Sequence, residues 1–566
     1  MENKHKIVIV AMLVAVMTVS SLALPAFSTT QTTPDQSIKN VIVLVPDGCS
    51  LGTQTVARWY KGSALNVDGI ATGSVSTFMT DSVITDSAPA ATAFSSGHKS
   101  SDKFIGVGPK TNDLLTGYTP DADPYAPLAT ILEAAKLAGK STGLIATSTI
   151  SHATPAAYAS HNYNRGDEND IIEQMVYNEV DVVFGGGASK LFPSGTTYTT
   201  SFGDTWTGSR TDGDNLYQTL MDRGYMFVDS KETMTSLISG RAWGMFASDA
   251  MQPDIDRAEF APTEPSLAEM TSQAIQLLSA NRNGFFLMVE GSQVDWANHA
   301  NDPIYAATDF LAFDDAVGVA LNFALQDGNT LVLAFPDHNT GGMTIGSYYQ
   351  DTNAIGHSYT KLTVEDVVNP LKGMQITSQG LVTKLDGVTD NAEIKAIFQE
   401  WWGLEITDDD IAAMDLTDYY SISEYICEAY TAFGWTTHGH DGSDVPLWAY
   451  STDGNTPVGH FDNTELAYLA SDALGLDFTA AQETLYVKAS DVYSASQLTF
   501  NMNDPANPVL EIRTNGGVTA TLPASKDIMT VSHGNQVQTY NLDGLVVYSS
   551  QIDEFFIPQE VIDLLA

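Results

Sequence analysis

The run Glu290-Gly-Ser-Gln-Val-Asp295-Trp-Ala-Asn-His299 places two carboxylates and an imidazole within ten residues, directly after the apolar stretch Phe285–Val289. A helix starting near Ser292 would carry Asp295 and His299, four apart, on one face. One carboxylate oxygen beside one imidazole nitrogen suits zinc. The same pair also makes ordinary ion pairs and helix caps, so the chemistry depends on partners elsewhere. Ser87 opens the small-residue stretch Ser87-Ala-Pro-Ala-Ala-Thr-Ala93. The free N–H groups at the start of a helix there would attract an anion, and Ser87 would meet a phosphate; a capping serine is the other reading. Ser87 has no adjacent histidine base, and a metal could lower the hydroxyl pKa in its place.

The elements that must position these residues are short apolar strands, each ending in polar or small residues. Asn40–Val45 leads to Asp47, Ser141–Ala146 to His152, Val180–Phe184 to Gly185, Phe285–Val289 to Glu290, and Thr330–Phe335 to Asp337-His338. Strands that are apolar on both faces belong to buried parallel sheets. Helix-like stretches lie between them, at Leu128–Leu137, Glu168–Tyr177 and Ser266–Ser279. The alternation predicts a three-layer α/β/α sandwich with a large, mostly parallel central sheet, in which ligands gather beyond the carboxyl ends of the strands. Asp47, Glu290, Asp337 and His338 all fall there.

From 348 to 435 the texture changes, with Trp401-Trp402 and Asp408-Asp409-Asp410, and the segment reads as an insertion forming a lid or a subunit contact. The core resumes at Asp444–Tyr450. Residues 480–566 are rich in Thr, Val and Asn and read as a small appended β domain. The expected division is a leader over 1–28, a catalytic domain over 36–478 and the appended segment.

The chain has 69 Asp plus Glu against 25 Lys plus Arg, a net charge of −44, and this field argues against nucleic acid or anionic lipid as partners. An anionic substrate would then need local cations, which metal ions provide. Lys4-His5-Lys6 before the apolar run Ile7–Val19 and the small residues up to Ser28 read as a secretory signal peptide, which predicts an extracellular, periplasmic or cell-surface protein with no membrane span after cleavage. Cys49 and Cys427 are the only cysteines; a disulfide and two buried thiols are both open.

Taken together, Asp47-Gly48, Thr85-Asp86-Ser87-Ala88, His152-Ala-Thr154-Pro155, Arg165, Glu290–His299, Asp337-His338 and His440-Asp-Gly442 resemble the motifs of the alkaline phosphatase family, in the family's order. The resemblance implies two zinc ions and one magnesium ion per subunit and small phosphorylated substrates in a homodimer. It implies that Asp295, His299 and His440 hold the first zinc, Asp47, Asp337 and His338 the second, and Asp47, Thr154 and Glu290 the magnesium. Ser87 would be the nucleophile that becomes a phosphoserine, and Arg165 the clamp on phosphate. His438, two residues before His440, is the alternative ligand. His152 and Trp296 stand where the best-known bacterial enzymes carry Asp and Lys, as in cold-adapted marine relatives; His152 would sit behind the magnesium ligands and Trp296 would wall the pocket.

The rivals are a sulfatase or phosphodiesterase of the same superfamily and a secreted binding protein with a relic site. Ser87-Ala-Pro89 lacks the arginine that sulfatases place two residues after the proline, and Glu290 with Thr154 supports a third metal site that diesterases generally lack.

Overall fold

The structure, a computed structural model, describes residues 37–346 and 361–566. The leader predicted over 1–28 and the start of the insertion, 347–360, lie outside the described residues.

A ten-stranded sheet forms the centre. From edge to edge it runs Gly459–Asp462, Ala71–Ser76, Val445–Ser451, Thr330–Ala334, Asn40–Pro46, Phe285–Gly291, Ser141–Thr149, Val182–Gly186, Ala242–Ala247, Met226–Val228. Every pairing is parallel except the two made by Val445–Ser451. The strands read as unbroken apolar runs because alternate residues enter different layers. Val41, Val43 and Val45 join Phe286 and Met288 in one apolar cluster, while Ile42 and Leu44 join Leu287 and Val289 in the other. Helices Ser87–Ser96, Ile131–Leu137 and Glu168–Tyr177 cover the first face. Leu267–Leu278 and Pro303–Asp327 cover the second. Their ends are fixed locally: Ser266 and Glu269 form a capping box, and Asp302 accepts from the N–H groups of Ile304 and Tyr305 ahead of Pro303 at the first turn.

Residues 361–435 form five helices around an apolar cluster that includes Phe398, Trp402 and Ile422. Two buried carboxylates pin them to the body: Asp256 accepts from the Thr377 N–H at 2.7 Å and Asp302 from the Ser378 N–H at 2.8 Å. The chain leaving these helices pairs antiparallel with the segment after Asp337-His338, setting Thr340 opposite His440. At the other end of the chain, Leu498–Asn541 builds a five-stranded antiparallel sheet over Leu510, Ile512, Leu522 and Met529. Leu485, Tyr486, Leu545, Val547 and Phe556 nonetheless belong to the main core. Cys49 and Cys427 are both buried and free, and Cys427 Sγ lies 3.1 Å from Trp435 Nε1.

Candidate active site

Asp47 follows the last residue of its strand, with Gly48 at φ +64° turning the chain behind it. A Cβ on Gly48 would lie 2.4 Å from Asp295 Oδ1 and 2.6 Å from Thr340 Oγ1, so only glycine fits. The Gly48 N–H donates to Asp337 Oδ1 at 3.0 Å and the His338 N–H to the same oxygen at 2.9 Å. Two backbone donors thus fix one oxygen of Asp337 and leave Oδ2 facing the pocket, 3.1 Å from His338 Nε2. That imidazole nitrogen is also 3.4 Å from Asp47 Oδ1 and 3.2 Å from Ser87 Oγ.

Ser87 is the first residue of helix Ser87–Ser96, and the capping position belongs to Asp86. Asp86 makes no capping hydrogen bond. Its carboxylate instead accepts from Arg165 Nη1 at 2.5 Å, while Arg165 Nη2 lies 2.9 Å from His152 Nε2. Burial works to raise the Asp86 carboxyl, but the charge and hydrogen bond of Arg165 outweigh it and hold it below its ordinary value. Burial, then the same guanidinium, pushes His152 down to about 4, so His152 is neutral at pH 7. Trp296 stands edge-on to it, ring centroids 5.9 Å apart.

Helix Gln293–His299 carries Asp295 and His299 as the spacing requires, with His299 Nε2 3.2 Å from Asp295 Oδ2. His440 Nε2 is 3.2 Å from His299 Nε2 and 3.7 Å from Asp295 Oδ1, while its Nδ1 is held by the Thr85 carbonyl at 2.8 Å. The His440 ring also stacks on His338 at 3.6 Å. His438 points away: its Nδ1 lies 2.8 Å from the His299 carbonyl and its Nε2 faces Glu424. Its own carbonyl accepts a hydrogen bond from His299 Nδ1.

Among the described residues, three sets of acidic and imidazole side chains each bring their ligand atoms within 4.8 Å of one another: Asp295, His299 and His440; Asp47, Asp295 and His338; and Asp47, His152 and Glu290. The second group adds Asp295 to Asp47 and His338, and the third adds His152 to Asp47 and Glu290. Asp337 stands at the edge of the second group through Oδ2, and the Thr154 hydroxyl lies beside Glu290. Four residues without an expected role also shape the site. Thr340 Oγ1 donates to Asp295 Oδ1 at 2.5 Å, Ser148 Oγ reaches Glu290 Oε2 at 3.5 Å with Ser292 Oγ 3.0 Å behind it, and Asp86 holds Arg165. Asp86 was signalled by its place beside Ser87 and Ser292 by its place in the Glu290–His299 run; Thr340 and Ser148 carry no local signal.

These residues fit a multivalent cation on their own chemistry. Among the described residues, both oxygens of Asp47, Glu290 Oε1, Asp337 Oδ2 and Thr154 Oγ1 are buried without a hydrogen-bond partner, although native interiors rarely leave such groups unsatisfied. Burial, then the charges of Asp337, Asp295 and Glu290, drives the Asp47 carboxyl well up. Burial also lifts Glu290 to about 7. Carboxylates crowded in this way call for a cation between them.

A sequence profile of the alkaline phosphatase family matches residues 38–476. The chain is 33% identical over 452 residues to alkaline phosphatase 3 of Bacillus subtilis, covering 76% of this chain and 87% of that one. It is 31% identical over 502 residues to the repressible alkaline phosphatase of Saccharomyces cerevisiae, covering 79% and 83%. Among solved structures, the cold-active alkaline phosphatase of a psychrophilic Shewanella sp. superposes with a TM-score of 0.63 at 26% identity, over 77% of this chain and 99% of that one. The Thermus thermophilus alkaline phosphatase does so with a TM-score of 0.66 at 26% identity, over 80% and 96%. The catalytic body therefore belongs to the alkaline phosphatase family of metal-dependent phosphomonoesterases.

Proposed function

We propose that the protein is a secreted phosphomonoesterase that works through a phosphoserine on Ser87. The observation that carries this reading is the convergence on Ser87 Oγ, at the start of a ten-residue helix, of His338 with the unsatisfied carboxylates Asp47 and Asp337. Asp295, His299 and His440 would hold one zinc, Asp47, Asp337 and His338 a second, and Asp47, Thr154 and Glu290 a magnesium ion. Variants of the TAB5 alkaline phosphatase in which a histidine is replaced by Asp or Glu are solved with magnesium bound. When bound, the zinc ions supply the Lewis acidity that lowers the pKa of the serine hydroxyl and stabilises charge on the attacking and leaving oxygens.

The chain's own groups do the rest. Free N–H groups of the Ser87 helix and the Arg165 guanidinium bind the phosphate oxygens, and Asp86 keeps the guanidinium aimed. Ser87 Oγ loses its proton and attacks phosphorus in line as the alcohol oxygen departs and takes up a proton. Water then attacks the phosphoserine from the vacated side, releasing inorganic phosphate and restoring the hydroxyl. The neutral His152 holds the other edge of Arg165 without adding charge to the pocket.

The test is hydrolysis of phenyl phosphate, its diester and phenyl sulfate, before and after chelation, with zinc and magnesium added back. The monoester should be the best substrate, and Ser87→Ala should lower kcat by about 10⁴-fold or more. Full activity in that variant, or a preference for the diester or sulfate, would end this reading. A homodimer is expected of the intact enzyme, with light scattering after size exclusion as its check.

A further inference from the structure

A groove of about 780 Å³ lies between the loop that carries Arg165 and the C-terminal segment. Tyr163, Gly166 and Asp167 line one side, and Met502, Pro508 and Tyr548 the other. The first wall contains the chain neighbours of Arg165 on both sides, so one loop serves the phosphate pocket through Arg165 and the groove through its flanks. Glu168, also on the groove, accepts from Ser151 Oγ at 3.1 Å, directly before the His152 that touches Arg165. The second wall belongs to residues beyond 476, outside the span that matches the family.

The two walls are locked together beneath the groove. Ser525 Oγ donates to the half-buried Asp170, and Lys526 Nζ pairs with Glu173 at 2.9 Å and with Asp214 at 3.0 Å. The space is therefore preformed, and its volume suits a ligand larger than a simple aryl group. Its chemistry is mixed. Tyr163 and Met502 are each 36% exposed and offer apolar contact. Of the five lining carboxylates, Asp170 is held by Ser525, Glu173 by Lys526 and Asp212 by Arg210, which leaves Asp167 and Glu168 as the acidic groups turned to the groove, Glu168 also meeting Lys190 at 3.1 Å.

We propose that this groove is the leaving-group subsite for phosphorylated peptides carrying basic residues beside the phosphorylated one. The phosphate would reach Ser87 and Arg165 while the flanking peptide lies between Tyr163 and Met502, its cations against Asp167 and Glu168. This rests on the phosphomonoesterase reading above and gives the C-terminal segment its role in it: the segment selects the alcohol and leaves the phosphate chemistry alone.

The experiment compares kcat/KM for three phosphoserine peptides of equal length, flanked by arginine, alanine or glutamate, with phenyl phosphate as the small ester. Wild-type enzyme should prefer the arginine peptide over the glutamate peptide by about tenfold, and the preference should persist in added salt, which screens the long-range field of the whole molecule. Met502→Arg, at an exposed position, should lower the rate on the arginine peptide by about tenfold and leave phenyl phosphate unchanged. Met502→Ala should weaken all three peptides together through lost apolar contact. Absence of any preference among the peptides overturns the proposal, as does a Met502→Arg effect equal on peptides and phenyl phosphate or absent from both. Failure to hydrolyse phenyl phosphate at all would instead remove the phosphomonoesterase reading beneath it.

Discussion

At the scale of single residues the pocket is a problem in charge. Asp47, Glu290, Asp295 and Asp337 are each at most 4% exposed, and an unpaired buried carboxylate costs several kcal/mol. The ligand atoms are nevertheless aimed inward, because groups that are not ligands hold them from behind. Gly48 makes room for Asp295, two backbone N–H groups fix Asp337, and Thr340 Oγ1 spans Asp295 Oδ1 at 2.5 Å and His338 Nδ1 at 3.3 Å. Thr340 thus orients one ligand from each proposed zinc set. Thr340→Val keeps the shape and removes both hydrogen bonds, and groups in this supporting position typically govern about 10–100-fold in metal affinity. A chelator-competition titration of the metal-stripped enzyme with zinc should show a loss of that size. An affinity equal to wild type would mean that the carboxylate and imidazole are held by packing alone.

At the scale of elements, the strands were legible because each apolar run feeds two apolar layers at once, and the residues just past their ends were legible as a consequence. The helix posited from near Ser292 is present as Gln293–His299 and carries Asp295 and His299 four apart. The reversed direction of Val445–Ser451 was not legible, because an apolar run carries no sign of its direction. The preference for His440 over His438 rests on the His440-Asp-Gly442 motif and not on any contact visible in the sequence: the pairing of Asn339–Thr340 with His440–Asp441 that places His440 spans about a hundred intervening residues. Thr92 shows the same non-local logic within the catalytic apparatus. Its hydroxyl donates to the Phe104 carbonyl at 3.2 Å and accepts from the Gly106 N–H at 2.9 Å. Ile105 exchanges two backbone hydrogen bonds with Asn162, and the Arg165 N–H donates to the Lys103 carbonyl. The helix that presents Ser87 is thereby linked to the loop that presents Arg165. Thr92→Val should cost about 1–3 kcal/mol of stability, from unsatisfied buried backbone groups. It should also lower kcat/KM for phenyl phosphate by about tenfold or more, since small misplacements of reacting groups are costly; Thr92→Ser should restore both. Lost stability with unchanged kinetics would show that Thr92 supports the fold without setting the distance between nucleophile and guanidinium.

At the scale of the whole molecule, a chain with 25 basic residues against 69 acidic ones must place its cations with economy, and several stand where the C-terminal segment meets the body. Arg223 pairs with Asp527 at 2.5 Å, Lys526 with Glu173, and Lys488 with Asp123 at 2.7 Å. The innermost contact is a buried network in which the Tyr486 hydroxyl lies 2.5 Å from both Glu133 Oε1 and His161 Nε2, and Glu133 also accepts the Thr130 N–H. Burial works to raise the Glu133 carboxyl; the charge of His161 and the hydrogen bonds from His161 and Tyr486 outweigh it, so Glu133 titrates below its ordinary value of 4.5. A carboxyl whose folded pKa is depressed stabilises the fold fully above its unfolded pKa, and that contribution is lost as pH falls through the folded value. Glu133→Gln should therefore lower stability at pH 7 by about 1–3 kcal/mol, read by calorimetry, and the gap from wild type should narrow as pH falls below 4.5. Tyr486→Phe should destabilise in the same direction, because the hydroxyl is the segment's own member of the network. A gap that stays constant across this range would mean that Glu133 acts through its shape, and that ionisation at this junction contributes nothing to seating the C-terminal segment on the catalytic body.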